Sequence, residues 1–409
     1  MNAHRAVAPL LVVLGLGVVG CVSGSAATPG VGSPIAPTAA LTTPGATPSL
    51  ASSLTSPVEP STSPAAGAFF ITGAMAVERD GESATVLHNG LVLVAGGRNM
   101  HSVPLASAEL YDPKTGTFSP TGSMSYPRTF HTASLLADGT VLIVGGAGTK
   151  GLVAESEIYD PKSGKFSSIG ALTTARVNHS AVSLSDGRVL IAGGRDEANA
   201  QLGSAELYDP KTGKFNASGS MKTAREYATA TLLPDGRVLV AGGDNENPAL
   251  AMAELFDPST GIFSSTGSMA TARSNHTATS LRDGRVLITG GTATQGSLSV
   301  RLASSELYDP GTGTFGPTGS MSTARGYQSA VPLADGRVLV VGGHGDLLVD
   351  SATAELYDPR PGTFSPTGSM AVARTGSPAF AMLADGRVLV VGGRGKDDYS
   401  TTSAELYDP

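Results

Sequence analysis

Seven arginines occupy one position of a recurring pattern: Arg79, Arg128, Arg176, Arg225, Arg273, Arg325 and Arg374. A ring of such cations would bind an anion. A residue repeated in every copy, however, serves what every copy needs. Pairing each arginine with a backbone carbonyl, or with the recurring acid of Glu-Leu-Tyr-Asp, meets that need and is expected here. Three residues after the arginines come Glu82, His131, His179, Ala228, His276, Gln328 and Ser377. Three histidines hold a metal only if they converge, since ligands sit about 2 Å from the ion. Equivalent positions on separate copies are held apart, so hydrogen-bonded structural histidines are expected, with no metal and no cofactor. There is no Ser/His/Asp motif, phosphate loop or HExxH, and no catalytic residue is assigned. Asp244-Asn-Glu-Asn247 and Lys396-Asp-Asp398 lack the spacing of a calcium loop.

Composition narrows the field further. The net charge of −7 over 409 residues is spread without a basic run. Nucleic acid is therefore excluded as a partner, because phosphate binding needs clustered Lys and Arg. The chain has 1 cysteine, so no internal disulfide or Cys-based metal site is available. Apolar residues at 40% suffice for a core, and Gly 53 and Pro 26 without a collagen period indicate many turns or a disordered segment.

The elements that must carry these residues follow from an internal repeat. A Gly-Gly pair begins at Gly96, Gly145, Gly193, Gly242, Gly290, Gly342 and Gly392, at intervals of 49, 48, 49, 48, 52 and 50 residues. Each unit starts with an Arg-led alternating segment, such as Arg176 to Leu184. A turn at Asp186-Gly187 leads to the apolar run Val189-Leu-Ile-Ala. Then come Ala205-Glu-Leu-Tyr-Asp-Pro210, a second turn, and a strand at Phe215. This reads as a four-stranded antiparallel meander with two apolar faces, which only radial stacking buries. The last unit ends at Tyr407-Asp408-Pro409 without its fourth strand. Gly67 to Met75 matches Gly116 to Met124 and supplies it. The expected fold is all-β, a seven-bladed propeller over 67–409, closed by the N-terminal strand. Closure leaves no unpaired end, and a monomer is expected.

These marks, an apolar strand ending in Gly-Gly, a later Tyr-Asp-Pro and an aromatic beyond it, resemble the kelch repeat. Phe118, Phe166, Phe215, Phe263, Phe315 and Phe364 stand where that family commonly has Trp, which this chain lacks. The sequence is similar to bacterial exported kelch proteins and to the propeller of galactose oxidase-like enzymes. That resemblance implies a propeller and says little about activity. The copper centre of those oxidases comes with a tyrosine crosslinked to a cysteine, and Cys21 precedes the repeats altogether, so copper oxidase chemistry is not expected.

Met1 to Arg5 is a short basic start, and Ala6 to Val19 is an apolar run too short to span a membrane, which reads as an export signal. The run closes on Val18-Val19-Gly20-Cys21, which resembles the lipobox of bacterial lipoproteins. The resemblance implies a signal peptide over 1–21, lipidation of Cys21 and attachment to the cell envelope. The alternative is an ordinary signal cut near Ser25 to Ala27, giving a secreted protein. Residues 22–66, almost all Ala, Thr, Ser, Pro, Gly, Val and Leu, are read as a disordered stalk.

Strand direction alternates, so the uniform Asp-Gly-Arg and Asp-Pro turns share one face of the disc. The divergent loops after Gly-Gly share the other. Uniform turns suggest scaffold, and varied loops suggest a binding surface. Two groups stand out there. One is Phe130, Tyr227 and Tyr327, with Asn178 and Asn275 at the same position of other repeats. The other is the loop pair of Asp244 and Glu246 with Arg394, Lys396, Asp398 and Tyr399. Aromatic rings and charged groups near a concave mouth suit a glycan or peptide. The expected function is a non-catalytic module that binds protein or glycan; the alternative is a carbohydrate-active enzyme on the same propeller.

Overall fold

A computed structural model describes residues 67–409 apart from 246–247, 297, 346–350 and 396–398. The export signal, Cys21 and the stalk lie outside the described residues, as do Glu246, Lys396 and Asp398.

Seven four-stranded antiparallel sheets make up the fold, with no helix among the described residues. Blade three shows the plan: Ser180–Ser183, Val189–Ala192, Ser204–Asp209 and Lys214–Ser220, paired in that order. Its second strand is buried along its whole length, which is why that run is apolar without alternation: neighbouring blades cover both faces. Leu190, Ala192 and Leu207 of blade three form one cluster with Val238, Val240 and Phe256 of blade four. Such clusters lie between neighbouring blades around the ring. Burying each Val or Leu contributes about 1.5–3 kcal/mol. A tyrosine of the third strand tilts against the phenylalanine of the fourth, as in Tyr208 and Phe215 at 5.0 Å between ring centres. The smaller ring fits where the repeat family usually has Trp.

Closure is as the sequence implies. The strand Ala68–Ile71 pairs with Ala404–Asp408 in the register Ala68 to Asp408 and Phe69 to Tyr407, completing blade seven. Phe69 and Tyr407 repeat the ring pair at 4.8 Å. The first strand of every blade touches its counterparts in both neighbours, so these seven strands line the axis of the disc.

The Gly-Gly pair is a consequence of close approach. Gly193 has φ +67, and a Cβ there would lie 2.6 Å from the carbonyl oxygen of Arg225 in the next blade. Gly194 has φ +91, and its Cβ would lie 2.6 Å from the carbonyl oxygen of Val177. Both positions demand glycine on space and on backbone conformation.

Candidate functional site

The lead-in to each first strand positions the site, and the seven arginines fix the lead-in. Arg225 is buried; its Nη1 donates to the carbonyls of Gly242 at 2.8 Å and Met252 at 2.9 Å, and its Nη2 to Glu254 at 2.9 Å. Glu254 also accepts the backbone N–H groups of Lys222 and Thr223. The same arginine–glutamate pair recurs in every blade, from Arg79–Glu109 to Arg374–Glu405. Each arginine is thus held by its own blade, is buried, and lines no part of the cavity described next.

Two residues on from each arginine the chain turns into the left-handed region. The seven positions are Gly81, Phe130, Asn178, Tyr227, Asn275, Tyr327 and Gly376, with φ between +52 and +72. Backbone hydrogen bonds join several of them around the axis, from Tyr227 N to Asn178 O at 3.1 Å and from Tyr327 N to Asn275 O at 3.1 Å. All seven line one cavity of about 340 Å³ at the mouth of the channel, with Arg98, His344 and Arg394 on its rim. Glycine and asparagine take this conformation readily, whereas a bulky side chain there is strained. Phe130, Tyr227 and Tyr327 bear that strain, though four other blades show that the scaffold does not require a ring.

Charge is distributed unevenly around the mouth. The residue after each arginine bridges the residue after Gly-Gly in its own blade. In blade one these are Asp80 and Arg98, joined at 2.8 Å. Arg394 of blade seven reaches the same carboxylate at 3.0 Å, and Arg98 lies over the Phe130 ring at 4.8 Å. In blade four the bridged residues are Glu226 and Asp244, two acids. Burial, and then the Glu226 charge, push the Asp244 carboxyl up to about 6. Glu226 accepts a bond from the Asn178 amide at 2.8 Å, and Arg195 lies 3.6 Å from it. Burial and the neighbouring Glu226 charge raise the Tyr227 hydroxyl as well.

The histidines link blades. His131 Nε2 bonds Ser83 at 2.9 Å, His179 bonds Thr132 at 2.9 Å and His276 bonds Thr229 at 3.1 Å, each hydroxyl belonging to the preceding blade. Burial, with the nearby arginine, lowers all three to about 3, so the rings are neutral at ordinary pH. Among the described residues no group of three His, Cys, Asp or Glu is placed to hold a metal.

Of the residues singled out from sequence, Phe130, Asn178, Tyr227, Asn275, Tyr327 and Arg394 share the cavity. Among the described residues, Asp244 lies beside Glu226 in blade four and Arg394 pairs with Asp80 between blades seven and one. Tyr399 is exposed and does not line the cavity. Sequence reasoning left Asp80, Glu82 and Glu226 off the site. The signal was there: at the position after the arginine, Asp80 and Glu226 are acids where other repeats have Thr, Val, Ser or Gly.

Larger clefts open between blades on the opposite face, one of about 500 Å³ lined by Asp283, Gly336, Arg337 and Pro359. Similar clefts of about 480 and 570 Å³ recur there. Their walls are the uniform turns, whose arginines are taken by their own aspartates, as in Arg337–Asp335. Size favours these clefts; chemical individuality favours the mouth, and the mouth is the better candidate.

Comparison with known proteins bears on the fold. The Kelch motif matches residues 82–125 and 175–222. The fold is a kelch-type propeller. Among solved structures, a fungal alcohol oxidase of the AA5 family, in complex with copper, is 20% identical with a TM-score of 0.67, covering 82% of this chain and 75% of that one. The structure of YjhT is 13% identical with a TM-score of 0.58, covering 72% of this propeller chain and 99% of that one. At such identities the likeness is one of fold. No curated protein matches the sequence.

Proposed function

We propose that this kelch propeller is a non-catalytic module that binds a glycan in the mouth of its central channel. The observation that carries the reading is the placing of Phe130, Tyr227 and Tyr327 in the left-handed region at the cavity wall. A strained aromatic where Gly or Asn suffices in other blades points to use of the ring. Rings alternating with the amides of Asn178 and Asn275 offer stacking faces and hydrogen bonds at close quarters, and about 340 Å³ suits a sugar residue better than a protein surface. The test is a panel of soluble oligosaccharides followed by calorimetry. Tyr327→Ala should weaken the best ligand about tenfold, the loss of one aromatic hot spot. Unchanged affinity in Tyr327→Ala and Phe130→Ala would place binding elsewhere.

Cys21 and the segment before it support display on the cell envelope through a lipid. Cys21→Ala should then move the protein from the membrane fraction to the soluble exported fraction.

A second reading, an enzyme acting on a sugar, is favoured by Glu82, a cavity-lining carboxyl raised to about 8. Raised acids in a cleft are what proton transfer uses. Product analysis of each bound oligosaccharide separates this reading from simple binding. Copper does not fit the recurring histidines, which are turned to hydroxyls of separate blades, and no group of three His, Cys, Asp or Glu among the described residues replaces them.

A further inference from the structure

Neighbouring blades are joined by a repeated set of clasps. A glycine at the end of each fourth strand donates its N–H to the glycine just before the next blade's fourth strand, as Gly122 does to the Gly164 carbonyl at 2.9 Å. Six junctions have this bond. The approach there is so close that a Cβ on the first glycine would lie 2.2–2.5 Å from the accepting oxygen. At five junctions the threonine just before that glycine bonds the buried tyrosine of the next blade. At the mouth, backbone bonds such as Phe130 N to Gly81 O and Tyr227 N to Asn178 O continue the joining.

Between blades two and three the set is broken. Ile169 stands in place of the threonine, so Tyr208 lacks that partner. Gly170 turns to φ +134, alone among the seven copies of its position. Its N–H does not reach Gly213, and a Cβ on it would meet nothing within 4 Å. At the mouth, no bond runs from Asn178 N to Phe130 O. The junction keeps its apolar cluster, the bond of His179 to Thr132, that of Gly146 N to Arg176 O, and an exposed bond from Leu152 N to Glu197.

The junction where the ring shuts is better clasped. Pro378 stands there where Ser83 and Thr132 stand in other blades, so no hydroxyl ties it, and Glu82 accepts the Ala379 N–H instead. Yet Thr72 bonds Tyr111, Gly73 N bonds Gly116 O and Gly81 N bonds Ser377 O. Arg387 also reaches the Pro113 carbonyl, and Asp80 holds Arg394 from blade seven.

We propose that the disc carries a built-in seam between blades two and three, which parts more readily than any other junction, including the one that closes the ring. Opening free energies vary along a structure with the bonds that must break, and here the fewest stand in the way. Parting at the seam draws Phe130 from Asn178, so the mouth widens there without breaking a backbone bond of its rim. The inference is independent of what the mouth binds.

The test uses probes that the repeat itself provides. Each junction buries a side chain at one repeat position: Met75, Met124, Leu172, Met221, Met269, Met321 and Met370, all 4–5% exposed. Leu172→Met, nearly conserving volume, makes the set uniform. With static exposure equal, oxidation by hydrogen peroxide, read by mass spectrometry, reports how often each junction opens. The side chain placed at 172 should oxidise about tenfold faster than the six native methionines of the set, and adding Ile169→Thr should slow it about threefold. Oxidation at 172 no faster than at the other six, or fastest at Met75, overturns the seam. A rate that Ile169→Thr leaves unchanged points to the substitution at 172 itself and overturns it as well. A second measure needs no substitution: nitration of the buried third-strand tyrosines by tetranitromethane in the wild-type protein. Tyr208 should react first; all reacting at one rate, or Tyr111 leading, overturns the seam whatever the fate of Leu172→Met.

Discussion

Arg225 and Tyr227 lie two residues apart at the inner end of blade four, and different constraints hold them. Arg225 is buried, spends its donors on its own blade, and has an identical counterpart in all seven repeats. Tyr227 is held at φ +53 facing the cavity, and its counterparts are Gly, Phe, Asn, Asn, Tyr and Gly. The backbone is the same at every copy of either position; only the demand on the side chain differs. Scaffold positions tolerate one solution, because a buried cation needs its carboxylate and carbonyls. The mouth position tolerates several, because its side chain projects from a turn that any residue willing to accept the strain can make.

The contrast breaks most visibly by removing a scaffold cation. Arg273→Ala leaves Glu306 buried without its partner, and should lower stability by about 3–5 kcal/mol in denaturant or thermal unfolding. A loss under 1 kcal/mol would mean that the arginine layer is not what fixes the lead-ins.

Acid is the next lever. His131, His179 and His276 sit near 3 against a usual 6.5, so above pH 6.5 they are neutral folded or unfolded. Below pH 6.5 the unfolded chain takes up protons that the folded chain refuses, and stability falls progressively toward pH 3. Each pKa unit is worth about 1.4 kcal/mol, so the three together amount to several kcal/mol. His276→Gln, with an amide as Gln328 already provides in blade six, should flatten the decline measured by melting between pH 6.5 and 4. An unchanged slope would show that these rings already share protons with solvent.

The mouth should answer in the opposite direction. Tyr327→Asn relieves a bulky residue at φ +59 and should raise stability by about 1 kcal/mol while weakening glycan binding. If both fall together, the ring is packing rather than recognition.

The smallest effect tests a lapse in the scaffold itself. At five junctions a threonine hydroxyl bonds the tyrosine of the next blade, as Thr121 does Tyr159 at 2.8 Å. Ile169 occupies that place before Tyr208, and Ser218 faces Phe256, with its own hydroxyl unsatisfied. Ile169→Thr should restore the bond and add about 0.5–1 kcal/mol; a drop in melting would show that the Ile169 side chain contributes more through packing.

The amino-acid sequence determined the fold. Period, Gly-Gly, the doubly apolar second strand and the split last unit leave one way to bury seven two-faced meanders, and the closure register of Phe69 with Tyr407 follows. It also marked the scaffold, since identity across repeats exposes what every blade needs. It pointed to the ring of Phe130, Asn178, Tyr227, Asn275 and Tyr327 through divergence at one repeat position, though not to their left-handed backbone, which Gly81 and Gly376 hint at. Only the tertiary structure decided which charged groups meet. Arg98 and Arg394 lie far apart in sequence yet share Asp80, and Glu82 finds Pro378 where a hydroxyl should be. Those encounters cross the junction where the ring shuts, and charge and burial there depend on distances through space that no spacing along the chain encodes.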